Sequence, residues 1–197
     1  MLTEKEKRTL RENLIRYEGD VRHMYLDSEG HVTIGVGHLV PNLAAALKLN
    51  LVVGKTGAIA TETQITTDYE LVKKQAEGGY AYTYKKYTQL IMKKIEVNRL
   101  TNKHINNFYN ELKKLFPSFD DYPTEARLAL LDMIFNLGMT KLRNLFPKLN
   151  KAVKAKKWAE AAAESRRKSP VSDARNNYVR ALFEAAAKNA EQTSTEN

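Results

Sequence analysis

Residues 32–36 alternate strictly, Val32, Ile34 and Val36 with Thr33 and Gly35, whereas apolar residues elsewhere recur every three or four positions. A period of two belongs to a strand and a period near 3.6 to a helix. The chain must therefore place a short β element near its N-terminus inside a mostly helical molecule. Asp27-Ser28-Glu29-Gly30 precedes the alternating run. Asp opens turns and Gly closes them, so a β-hairpin joins a strand around Arg22–Leu26 to the run at Val32. Asp27 and Thr33 flank its tip, with Thr33 on the face opposite Val32 and Ile34.

The residues before the hairpin read as a helix. Thr3-x-x-Glu6 is a capping box, and Leu10, Leu14 and Tyr17 form one stripe. Glu18 ends this helix and Gly19 terminates it. After a mixed segment with Pro41, Gly54 and Gly57, the pattern is helical to the end. Thr67-x-x-Glu70 reads as a second capping box, broken downstream by Gly78-Gly79. Tyr80, Tyr84, Tyr87, Ile91 and Ile95 line one face of the next expected helix, the tyrosines serving as packing residues. Ile105, Phe108, Leu112 and Leu115 line another. Leu128, Leu131 and Phe135 mark a strongly apolar helix that stops at Gly138. One helix is expected around Trp158, a packing residue, and a last one through Val179 and Phe183. From Asn189 onward the residues are polar, and a frayed tail over 189–197 is expected.

The fold class is α+β, predominantly α: a small β-containing lobe, residues 1–65, and a larger helical lobe, residues 66–188. A cleft between lobes is a common place for a substrate site.

Composition removes several functions. With no cysteine among 197 residues, disulfide scaffolds, thiolate metal sites and cysteine nucleophiles are excluded. The longest uncharged apolar stretch, Leu39–Leu47, contains Pro41 and Asn42 and falls far short of the roughly 20 residues of a membrane span. Residues 1–6 lack an apolar core, so the expectation is synthesis in the cytoplasm without a signal peptide, and action on the cell wall after release or injection. His23, His31, His38 and His104 show no metal-ligand spacing, and no metal or cofactor is expected. Gly54-Lys55-Thr56 resembles the end of a phosphate loop, but Leu49 stands where its first glycine is required. Gly35-x-Gly37 lacks the third glycine of a dinucleotide fingerprint, and no serine nucleophile elbow is present.

The net charge of +9 is unevenly placed. Residues 141–180 hold twelve Lys/Arg and three Asp/Glu, while the two signs balance in the rest. This segment favours a polyanionic partner, although such runs are usually the solvated faces of helices.

Hydrolysis of a glycosidic bond needs one carboxylic acid to protonate the leaving oxygen. It also needs a second carboxylate to activate water or stabilise the developing positive charge. Glu18 and Asp27 are nine residues apart at a helix end and a hairpin tip. Alone, such a pair is surface charge in most proteins.

The surrounding residues carry more. Arg16-Tyr17-Glu18-Gly19, Tyr25-Leu26-Asp27-Ser28-Glu29-Gly30 and Val32-Thr33-Ile34-Gly35-Val36-Gly37-His38-Leu39 together resemble the lysozymes of tailed phages, the T-even type. Met133-Ile134-Phe135-Asn136-Leu137-Gly138 is similar to that family's central buried helix. Lys157-Trp158-x-x-Ala161-Ala162 and Arg175 with Val179 and Phe183 are similar to its closing segments. The resemblance covers most of the chain, with gaps in its middle. It implies a two-lobed lysozyme-like fold and a muramidase acting on peptidoglycan as a monomer, such as an endolysin. It further implies that Glu18 is the general acid, its pKa raised by partial burial. Asp27 positions or deprotonates the attacking water, and Thr33 holds that water. Leu39 and Phe135 match saccharide contacts. Arg175 would pair with Glu18, and His38 with a carboxylate of the helical lobe.

The chain departs from the pattern in four places. Extra length falls in Pro41–Leu51 and Gly78–Thr88. Pro170 and Arg175 are five residues apart, which keeps Arg166 and Arg167 as candidates for the arginine's role. Glu164 replaces a sugar-binding amide. Two other functions are compatible with a basic chain of this kind: an idle wall-binding module, and a nucleic-acid binder using residues 141–180. The intact Glu/Asp/Thr set argues against the first. The lack of a helix-turn-helix or base-stacking motif argues against the second, so no nucleic-acid partner is expected.

Overall fold

The computed structural model describes the backbone of residues 2–195 and the side chains of residues 2–192. The protein is α+β, with short antiparallel sheets among helices. In chain order the elements are α1 (Glu4–Glu18), β1 (Val21–Leu26), β2 (Val32–Gly35), β3 (His38–Leu39), α2 (Leu43–Ala46) and β4 (Leu51–Val53). Then follow α3 (Glu62–Lys73), a 3-10 segment (Ala81–Tyr87), β5 (Leu90–Met92) and α4 (Lys94–Leu115). After a short 3-10 turn (Phe119–Asp121) come α5 (Thr124–Leu145), α6 (Pro147–Lys154), α7 (Trp158–Glu164) and α8 (Asp173–Thr195). The chain divides into two compact units, Arg11–Lys103 and Met1–Leu10 with His104–Asn197.

In the unit of residues 11–103, β1, β2 and β3 form an antiparallel sheet in that order. Tyr25 pairs with Thr33 and Leu26 with Val32; on the far edge Thr33 pairs with Leu39 and Ile34 with His38. All four residues of β2 are buried, as expected for a central strand covered on both faces. The hairpin turn forms as the Asp-x-x-Gly pattern predicts. Gly30 N donates to Asp27 O at 3.1 Å, Asp27 N donates to His31 O at 3.0 Å, and Gly30 takes φ +75°. A side chain there would be strained.

A second sheet pairs β4 with β5, Leu51 opposite Met92 and Val53 opposite Leu90. The sheets are tied together where Arg22 Nε donates to Met92 O at 2.8 Å. This second sheet corrects the expectation of one helix through Tyr80, Tyr84, Tyr87, Ile91 and Ile95. Leu90 and Met92 are each 2% exposed with Ile91 between them, a strand alternation, and Ile95 is 73% exposed in α4. The buried Asp68 of α3 fixes the start of β5, its Oδ2 accepting from Gln89 N and Leu90 N, both at 2.9 Å.

The second capping box is also displaced. Thr61 and Gln64 cap α3 reciprocally, whereas Thr67 sits inside the helix and donates its hydroxyl to Thr63 O at 2.9 Å. Both Thr-x-x-Glu/Gln patterns satisfy the local rule, but only the first precedes the turn at which the helix begins. The helix ends at Lys73 with Lys74 as its cap, ahead of Gly78-Gly79.

In the other unit the first capping box forms as expected: Thr3 N donates to Glu6 Oε2 at 2.6 Å and Glu6 N to Thr3 Oγ1 at 3.2 Å. Glu6 Oε1 accepts from Thr124 Oγ1 at 2.8 Å and Arg127 Nη2 at 2.7 Å, which joins α1 to α5. The helix through Leu128 and Leu131 is interrupted at Gly138, where φ is +72°, before it resumes. Trp158 is buried and meets Tyr122 edge-on at 5.0 Å, so it packs as expected. Val179 and Phe183 are fully buried in α8. That helix extends to Thr195, across most of the segment expected to fray, and residues 196 and 197 lie outside the described residues. Among the described residues no helix is long and apolar enough to cross a membrane.

Candidate active site

Glu18 is the last residue of α1 and is half-buried. The helix stops there because Gly19, at φ +83°, turns the chain after donating its N–H to Ile15 O at 2.9 Å. The carboxylate thus sits on a regular element one residue before the chain reverses.

Asp27 leaves β1 into the hairpin turn and is held by the turn itself. Its Oδ1 accepts from Glu29 N and His31 N, both at 2.9 Å, a side chain standing in for a backbone carbonyl. Its Oδ2 meets the Thr33 hydroxyl at 3.3 Å. That hydroxyl also lies 3.3 Å from His31 O. With one hydrogen and two lone pairs, it donates to one of these oxygens at a time and keeps acceptor capacity for a third group. Thr33 is only 3% exposed, whereas the Asp27 side chain is 33% exposed. The pair therefore combines a fixed, sheltered hydroxyl with a carboxylate that still reaches solvent. The His31 ring lies 3.7 Å from Asp27 Oδ1 and 3.8 Å from Glu29.

Sequence reasoning passed over Tyr25. It lies in register with Thr33, and its phenol is pushed up to about 12 by burial, then by the negative charges of Glu18 and Asp27. Both carboxylates therefore stand within electrostatic range of one hydroxyl. The available signal was its position two residues before Asp27, the spacing that brings side chains to the same side of an extended chain.

Leu39 is in register with Thr33 on its other side and is 47% exposed, so Tyr25, Thr33 and Leu39 make one row across the sheet. His38 is half-buried on β3, opposite Ile34. Phe135 and Arg175 belong to the other unit. Phe135 is half-buried and packs edge-on with Phe108 at 5.6 Å and His104 at 6.3 Å.

Arg175 Nε donates to both oxygens of Asp132, at 3.1 and 3.2 Å. Arg167 Nη1 donates to the same carboxylate at 2.8 Å. All three side chains are nearly inaccessible to solvent. Arg166 instead pairs on the surface with Asp173. Among the described residues no group of three or more His, Asp and Glu side chains is placed to hold a metal ion.

Comparison with known proteins fits this arrangement. The phage lysozyme family model matches residues 15–182, from just before Glu18 to the middle of α8. Two proteins of Dictyostelium discoideum are similar over most of their length. Probable T4-type lysozyme 2 is 26% identical over 177 residues, 87% of this chain and 92% of that protein. Probable T4-type lysozyme 1 is 26% identical over 185 residues, 90% of this chain and 95% of that protein. The match spans both the β-containing segment and the helical one, and on it the chain belongs to the phage lysozyme family.

Proposed function

We propose that the protein is a muramidase that hydrolyses the β-1,4 bond between N-acetylmuramic acid and N-acetylglucosamine in peptidoglycan. The observation that carries this reading is the Asp27–Thr33 pair, an aspartate oriented by two backbone amides with its second oxygen against a sheltered hydroxyl. Family membership and the shared influence of Glu18 and Asp27 on Tyr25 support it.

In this reading Glu18 donates a proton to the leaving glycosidic oxygen. Asp27 accepts a proton from the attacking water as its oxygen bonds to the anomeric carbon, and the Thr33 hydroxyl fixes that water. The glycosidic bond breaks toward the protonated oxygen, so the proton count balances through the two carboxyl groups. Leu39, exposed beside Thr33, presents an apolar contact to a sugar. For Phe135, Arg175 and His38 the support is the sequence resemblance alone.

Clearing of a suspension of purified peptidoglycan tests the proposal. The wild-type chain should reduce turbidity and Glu18→Gln should not. Undiminished turbidity with the wild-type chain, or equal clearing by the variant, would overturn it.

A further inference from the structure

Tyr80 and Tyr82 take no part in the chemistry described above. Their rings are nearly parallel, with 9° between planes and centroids 5.7 Å apart. The residues are 75% and 71% exposed, so neither ring hides the other. The expectation that Tyr80 packs in a core is thereby corrected; in this segment Tyr84 does so, at 2% exposure. Large flat side chains left together in water mark an interaction surface more often than an accident of packing.

The pair is mounted stiffly. The buried Tyr84 donates its hydroxyl to Ala76 O at 2.8 Å, pinning the chain just before it. Thr83 donates its N–H and its hydroxyl to Tyr80 O, at 2.9 and 2.7 Å. His23 Nε2 lies 3.0 Å from Ala81 O, which fastens the residue between the two rings to β1. A Cβ on Gly79 would come within 3.0 Å of Thr83 Oγ1 and 3.3 Å of the Tyr84 hydroxyl, so the backbone folds tightly on itself here. With the backbone fixed before a ligand arrives, only the two ring rotamers are left to be ordered when it binds.

The mount is attached to the hairpin that carries Asp27. A Cβ on Gly30 would meet Glu77 Oε2 at 2.5 Å, so Glu77 lies directly against the turn that Gly30 closes. At its other end, β1, which holds Ala81 through His23, runs directly into Asp27.

We propose that Tyr80 and Tyr82 form an outlying saccharide subsite that grips the β-1,4-linked aminosugar strand away from the bond being cleaved. A pyranose in this linkage presents an apolar face of axial C–H groups, which stacks on an aromatic face. Successive sugars of an extended strand turn opposite faces to the same side, and since both faces carry axial C–H groups, two parallel offset rings can each stack on one. The tyrosine hydroxyls leave a polar rim for sugar hydroxyl and acetamido groups. This inference rests on the muramidase reading for its ligand.

The test uses the full chain carrying Glu18→Gln, with peptide-free glycan strands prepared from peptidoglycan as the probe. Adding Y80A and Y82A should weaken binding about tenfold, equivalent to roughly 1.4 kcal/mol. Y80F with Y82F should keep it, because stacking survives loss of the hydroxyl. In the chain with both tyrosines intact, bound glycan should slow nitration of Tyr80 and Tyr82 by tetranitromethane. Unchanged affinity in the alanine variant, equal loss in the phenylalanine variant, or unaltered nitration would overturn the proposal, as would glycan that does not bind. Failure of the muramidase reading would show instead as uncut peptidoglycan, with tyrosine-dependent glycan binding intact.

Discussion

The Thr33 hydroxyl stands 3.3 Å from Asp27 Oδ2, while Asp27 Oδ1 accepts two backbone N–H groups of its own turn. One oxygen thus fixes the orientation of the side chain, and the other faces the hydroxyl and is the one the proposed mechanism uses. A water held between Oδ2 and the hydroxyl needs a polar acceptor at residue 27, and the turn needs one too.

Asp27→Ala removes both functions at once. We expect it to lose about 10²–10⁴-fold in activity, the usual worth of general base assistance. It should also lose about 1 kcal/mol of stability through the loss of two solvent-exposed turn hydrogen bonds. Asp27→Cys, with a small polar nucleophile, should retain part of the activity. Rate assays on purified peptidoglycan with parallel denaturant titrations check both effects. Full activity in Asp27→Ala would remove Asp27 from the mechanism.

In the proposed mechanism a water held between Asp27 and Thr33 attacks from the side opposite the acid, so the product should have inverted configuration. The two carboxyl groups would then be roughly 6.5–9.5 Å apart, leaving room for that water. Proton NMR of the first products should show the α-anomer ahead of mutarotation. An initial β-anomer, or a glycosyl adduct on Asp27, would demonstrate retention.

The hairpin that carries Asp27 and Thr33 was legible in the sequence because its cues are local. Asp27 and Gly30 specify the turn, and the alternation of Val32, Ile34 and Val36 specifies the strand. The segment 80–95 was misread because helix and strand patterns coincide over short spans. Tyr80, Tyr84, Tyr87, Ile91 and Ile95 do recur at helical spacing. What breaks the helix is long-range: Asp68 captures the amides of Gln89 and Leu90, and Leu51–Val53 supplies the partner strand. Neither relationship has a signature within a helical window. The sharing of Asp132 by Arg167 and Arg175 was hidden for the same reason, since 35 and 43 residues separate the partners.

Acid should destabilise the protein partly through Glu6. Burial by itself raises this carboxyl's pKa, but hydrogen bonds from Thr3 and Thr124 and the charge of Arg127 outweigh it and leave the pKa lowered. A carboxylate with a lowered folded-state pKa contributes stability above its unfolded value, near 4.5, and loses that contribution as pH falls through the folded value. Glu6→Gln should cost about 1–3 kcal/mol at pH 7 and show a shallower loss of stability below pH 4.5. Urea midpoints across pH 3–7 measure this. Parallel curves for the two proteins would contradict it.

The basic segment should govern attraction to whole cells rather than bond cleavage. In α6 and just beyond it, Leu149, Ala152 and Val153 are buried while Lys151, Lys154 and Lys156 are exposed, leaving these cations free to act on a polyanion. Such attraction is screened over about 8–10 Å at physiological salt. Lysis of cells should therefore fall as salt rises, with little change on short peptide-free glycan fragments. Reversing the three charges should reproduce the difference at constant salt. Equal salt sensitivity on both substrates would show that these lysines are only solvated helix faces.

The central claim is tested most directly by the ends created in purified peptidoglycan. Borohydride reduction after digestion, followed by mass spectrometry, identifies each new reducing sugar. The account predicts N-acetylmuramic acid ends with the wild-type chain, and their loss by about 10²–10⁴-fold in Glu18→Gln, whose amide cannot supply the proton. N-acetylglucosamine ends, peptide cleavage without new reducing sugars, or undiminished cleavage by the variant would contradict it.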